Sequence, residues 1–84
     1  MPTHFITRSI AAYQNRLKNS FRKFQAQAKY FDTVEETDPK YDQAYQDTQE
    51  AWTDMVRDHV ELAERTSDKF ADDFLNSLIP ADRK

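Results

Sequence analysis

At 84 residues the chain is sized for one domain with a single modest core, and with no cysteine it has neither a disulfide framework nor a thiolate metal site. Charged residues make up 32% and the formal net charge is -3, but six phenylalanines, four tyrosines and one tryptophan argue against disorder. The absence of glycine excludes most strand-and-hairpin architectures, and no apolar run approaches the roughly 20 residues of a membrane span.

The expected class is therefore all-α. In the first segment Ile6, Ile10, Tyr13, Leu17, Phe21, Phe24, Ala28 and Phe31 step by three or four, which places them on one face of a helix over residues 5–32, with Thr3 as a candidate N-cap. Residues 1–31 also carry Arg8, Arg16, Lys18, Arg22, Lys23 and Lys29 and no acid, a sum of +6. Organelle-targeting peptides share that composition. The apolar seam runs past any plausible cleavage point, however, so the segment is kept in the fold.

Between Asp32 and Pro39 the seam stops. Thr33 with Glu36 has the spacing of a capping box, and Asp38-Pro39 that of an N-cap followed by the first helical residue. A second helix is expected over 39–65, with Tyr41, Tyr45, Trp52, Met55, His59 and Leu62 as its core seam and Val56, Val60 and Ala63 widening it on one side. Two helices of matched length joined by a short loop bury both seams only by lying antiparallel. The Thr66-Ser67-Asp68 cluster favours caps over helix interior, so the helix is expected to break there. A third short helix over 68–79 then folds back onto the hairpin, with Pro80 after it. The whole chain reads as one small helical bundle.

Eight acids, Asp47, Glu50, Asp54, Asp58, Glu61, Glu64, Asp68 and Asp72, recur at intervals of three or four. On a straight helix they drift by only about 20° and form a stripe. With Tyr45, Trp52 and His59 in the core, that stripe is expected on the far side of the helix, out of reach of the first helix. It reads either as a solvated face or as an acidic interaction surface. Arg8, Arg16, Arg22, Lys23 and Lys29 form a basic face on the first helix, and residues 32–84 sum to -9, so the hairpin is expected to be bipolar. Phe70, Phe74, Leu75 and Leu78 give the last helix an apolar face, suited to its own core or to a partner's groove.

No chemistry-bearing motif accompanies this layout. There is no Glu-x-x-His or His-x-x-x-His pair and no glycine-rich phosphate loop; His59 reads as a hydrogen-bonded core histidine. The expectation is a non-enzyme without metal or cofactor. Nucleic acid is disfavoured as a partner, because Phe21 and Phe24 within NRLKNSFRKF belong to the core face and the net charge is negative. Mimicry of a phosphate backbone by the acids is a further alternative. Asp38-Pro39, Ala44-Tyr45-Gln46 and Trp52 resemble the needle subunits of bacterial type III secretion along that stretch. The strongly basic first helix and polar C-terminal tail depart from that pattern, and the Trp-x-Gly turn of the ESX-type hairpins is missing, so no family is assigned.

The function expected is a cytoplasmic protein-interaction module of the adaptor, inhibitor or assembly-factor kind, such as phage and plasmid accessory proteins. A self-assembling structural subunit, such as a helical-hairpin filament or secretion component or at its simplest a homodimer, is one alternative, and a nucleic-acid binder through Arg8, Arg16, Arg22, Lys23 and Lys29 is another.

Overall fold

The structure, a computed structural model, describes residues 2–79, with side chains from residue 10 onward. It contains three helices, α1 (Pro2–Phe31), α2 (Tyr41–Arg65) and α3 (Asp68–Leu78), and no strand among the described residues. The expected all-α bundle is the observed one. α1 begins at Pro2, with proline in the first helical position where its missing N–H costs nothing, so Thr3 lies inside the helix and not at its cap.

The α1–α2 loop lacks glycine, and none of its residues takes a positive φ. Without a left-handed residue to close it, α1 ends through tighter i→i-3 bonds: Thr33 N donates to Tyr30 O at 2.9 Å and Val34 N to Phe31 O at 3.0 Å. The Thr33 hydroxyl donates backward to the same Tyr30 carbonyl at 2.6 Å. It therefore serves the end of α1, and the expected capping box with Glu36 is not made. Asp38-Pro39 also differs from expectation. Tyr41 N donates to Asp38 O at 2.9 Å, Lys40 N donates to Asp38 Oδ1 at 2.8 Å, and Lys40 sits at φ -85, ψ -4. That is a type I β-turn with Asp first and Pro second, and α2 starts two residues later than the spacing suggested.

The expected break after α2 is present. Thr66 closes α2 by donating its N–H to Leu62 O at 3.0 Å and its hydroxyl to the same carbonyl at 2.6 Å. Ser67 is extended and accepts from Phe70 N at 3.0 Å, the N-cap of α3. The chain reverses there, and α3 packs back onto both other helices.

Around Leu17, Met55, Leu62 and Ala71, all buried, gather Tyr13, Phe21, Phe24, Ala63, Phe74 and Leu75. The buried line of α2 is Ala44, Ala51, Met55, Asp58 and Leu62. With half-buried Thr48 it follows an alternating four-three spacing. The expected seam shares Met55 and Leu62 with this line but placed Tyr45, Trp52 and His59 where Ala44, Ala51 and Asp58 lie. The true seam is rotated by about 50°. Its cause is steric: α1 supplies large side chains along the contact, and the two alanines let its backbone come close. The aromatic rings of α2 then flank the contact, with Trp52 5.3 Å from Phe24 and Tyr41 and Tyr45 5.1 and 6.0 Å from Phe31, centroid to centroid.

The particle is long and flat, 56 × 27 × 16 Å. Its radius of gyration is 15.6 Å, against about 12 Å for a compact chain of this length. Among the described residues only Leu17 and Leu62 are large and fully buried. Stability therefore rests on few side chains. Leu62→Ala is expected to cost about 2–5 kcal/mol, whereas Val60→Ala, half exposed on the same helix, should cost under about 1 kcal/mol; urea denaturation of the two variants decides it.

Candidate interaction surfaces

The rotation of α2 redistributes the eight acids. Asp58 turns inward and is 5% exposed, buried against α1. The Ser20 hydroxyl of α1 donates to its Oδ2, and Arg57 Nε stands 3.7 Å from its Oδ1, which has no hydrogen-bond partner. Ser20 Oγ also lies 3.0 Å from the Arg16 carbonyl, but one hydroxyl proton serves one acceptor, and the charge-assisted bond to the carboxylate is the stronger. Glu61 is reached by Arg16 across the helix pair at 3.4 Å, and Arg16 also lies over the Tyr13 ring. The expectation that the stripe lies out of reach of α1 is thus corrected for Asp58, which Ser20 meets, and for Glu61, which Arg16 neutralises.

The break at Thr66 divides the stripe again. Asp68 lies in the first turn of α3, and Asp72 meets His59 Nε2 at 2.9 Å, tying α3 to α2. His59 has the expected hydrogen bond but stands at the edge of the core, one quarter exposed. What remains of the acidic surface is Asp47, Glu50, Asp54 and Glu64, of which Asp54 is paired with Arg57 at 3.4 Å. On the basic face Arg22, Lys23 and Lys29 are exposed and make no ion pair among the described residues, Arg16 is engaged, and the Arg8 side chain lies outside the described set. The apolar face of α3 is divided as well: Phe74 and Leu75 enter the core, Leu78 is half-buried, and Phe70 remains 40% exposed.

Two features were not anticipated. Trp52 and Tyr45 are about half exposed, and between them and the remaining acids α2 has a shallow polar depression lined by Gln46, Gln49, Glu50, Thr53 and Asp54. Beyond the end of α3, the α1 side of the hairpin keeps an open groove of about 610 Å³ lined by Phe21, Phe24, Gln25, Ala28, Lys29 and Ile79. The sequence signal for the first was the pair Ala44 and Ala51, small residues on the buried line of α2. Among the described residues no group of three or more His, Cys, Asp or Glu is arranged to hold a metal ion, and no helix is long and apolar enough to cross a membrane.

Compared with protein-family models, with curated proteins and with solved structures, the chain matches none.

The Ser20–Asp58 contact yields a sharp expectation. Ser20→Ala leaves a buried carboxylate without its donor and should cost about 1–3 kcal/mol, while the double variant Ser20→Ala with Asp58→Leu should recover most of that loss. Chemical denaturation of the two variants beside wild type tests it; equal losses in both would show that the carboxylate is not what Ser20 serves.

Proposed function

We propose that the protein is a small non-enzymatic interaction module that docks onto another protein through the outer face of α2. The observation that carries this reading is the exposure of Trp52 at 50% and Tyr45 at 46% on one flank of α2, with Glu50 and Asp54 further round the same helix. Large aromatic rings at a surface are the usual anchors of protein contacts, and net charge elsewhere on the same helix speeds encounter and selects the partner's sign. A partner of matching chemistry presents an apolar pocket for the indole and basic groups for the acids. Adaptor, inhibitor and assembly factor are all roles for such a surface, and none requires a reacting group.

A bipolar charge layout supports the second reading, a self-assembling subunit. The +6 of residues 1–31 and the -9 of residues 32–84 would meet between copies. Exposed Arg22 and Lys23 would carry the basic half of that contact.

Affinity capture from cells of origin, followed by binding measurements on the recovered protein, separates the two. Trp52→Ala is expected to weaken the captured complex about 30-fold or more, and the pair Glu50→Lys, Asp54→Lys should slow association and reduce its salt dependence. Arg22→Glu with Lys23→Glu should leave docking intact. Docking that survives the first two sets and fails in the third would overturn the reading in favour of a basic-face contact.

A further inference from the structure

α3 fills only part of the groove that the two long helices leave on one face. It runs back from the hinge, seats Ala71, Phe74 and Leu75 around Leu17, and ends at Leu78. Beyond that end Ile79, Phe21, Phe24 and Ala28 line an open remainder, on the stretch of α1 and its following turn from Phe21 to Asp32. That stretch is about 16 Å long, or three helical turns.

Charge along this remainder is one-sided. Lys18, Arg22, Gln25, Lys29 and Asp32 step by four and three and so share one line along α1, and Gln25, Lys29 and Asp32 of that line border the groove. Three cations against one acid leave the line at +2. None of these cations makes an ion pair among the described residues, whereas Arg16 reaches Glu61. The α2 side chains that meet the α1 rings at this level are Trp52 on Phe24 and Tyr41 and Tyr45 on Phe31, all uncharged. Nothing from α2 therefore answers the cations here.

The covered part of the groove shows what kind of element fits it. α3 has an apolar line of Phe70, Phe74 and Leu78 beside Ala71 and Leu75, and its charges are Asp68, Asp72 and Asp73 against Lys69. It is an acidic amphipathic helix. We propose that the open part is a docking site for a second acidic amphipathic helix, about three turns long and supplied by a partner protein. Laid along α1 beyond the end of α3, it covers Phe21, Phe24, Ala28 and Ile79 with its apolar side chains and brings its carboxylates to Arg22 and Lys29. An apolar floor selects a helix with an apolar line, and the unpaired cations beside it select the sign of that helix's flanks. The three-helix cross-section that α3 builds near the hinge is then continued toward the loop. This site is separate from the outer face of α2, so substitutions at Glu50 and Asp54 leave it intact and substitutions at Arg22 and Lys29 leave that face intact.

Fluorescence anisotropy of two labelled probe peptides on the full chain tests it. Both are lactam-bridged helices of about three turns with leucines at i, i+3, i+4 and i+7, and they differ only in carrying glutamates or lysines beside that line. The glutamate probe is expected to bind about tenfold more tightly than the lysine probe, with an affinity that falls as salt rises. Arg22→Glu with Lys29→Glu, both at exposed positions, should abolish or reverse that preference. Ala28→Gln lays a polar side chain across the floor and should weaken the glutamate probe by about tenfold. A glutamate probe that fails to bind, that binds no better than the lysine probe, or that ignores both sets of substitutions overturns the proposal. Sedimentation of the chain alone as a dimer that Ala28→Gln dissolves also overturns it, because a second copy is then the occupant.

Discussion

The close approach of α1 to Ala44 and Ala51 is the constraint on which the rest of the molecule depends. Two small side chains on α2 let the large ones of α1 set the separation and rotation of the helix pair, as close packing requires. Everything distinctive follows from that rotation. It carries Asp58 inside, brings Glu61 to Arg16, and turns Tyr45 and Trp52 to the margin. The side of α2 that α1 leaves free near its end becomes the floor on which α3 closes through Ala63 and His59.

Helix number, order and the hinge were legible in the sequence because each rests on local chemistry. The absence of glycine, the four-three seam of α1 and the cap-forming Thr66 and Ser67 all act within a few residues of themselves. The rotation of α2 was not legible in the same way. The lines at Tyr45, Trp52, His59 and at Ala44, Ala51, Asp58 are both acceptable neighbours of Met55 and Leu62, and hydrophobicity alone prefers the aromatic line. The decision lies in the partner helix, whose rings need the room that alanines leave. Asp58 belonged to a regular acidic run, and only the Ser20 hydroxyl opposite it, 38 positions away in the chain, gives the carboxylate reason to be inside. The turn at Asp38-Pro39 shows a local version of the same ambiguity, since Asp before Pro suits both a helix cap and a β-turn, and the geometry of Lys40 selects the turn.

A buried carboxylate with one satisfied oxygen contributes poorly to stability but strongly to uniqueness. An apolar residue at position 58 would permit α2 to slide or rotate against the phenylalanines of α1, which offer no directional bond. Ser20 and Asp58, together with Gln27 donating to the Ala44 carbonyl and the Thr48 hydroxyl at 3.5 Å, give the contact a register. The Ser20–Asp58 tie lies on the opposite side of the seam from the aromatic margin. One edge of the hairpin is thus specified by hydrogen bonds, and the other is left apolar and half open.

That division bears on what the protein is for. A chain of this length that spreads into a particle 56 Å long exposes 6572 Å² of surface, against about 5,200 Å² for a compact monomer of the same mass. The exposed surface is not uniform. Its polar edge is engaged internally by Arg16, Ser20 and Gln27, while its apolar edge carries Tyr45, Trp52, Val56 and Val60, each exposed by between 37% and 50%. Scattered single apolar residues on a surface need no explanation, but four on one flank of one helix, continuous with the face on which α3 already sits, form a surface with a direction. The energy that a longer core would have supplied within the chain is left available at this edge, so association there adds what the fold itself lacks. A helix hairpin that fixes its register on one side and withholds burial on the other leaves that second side for the docking proposed above.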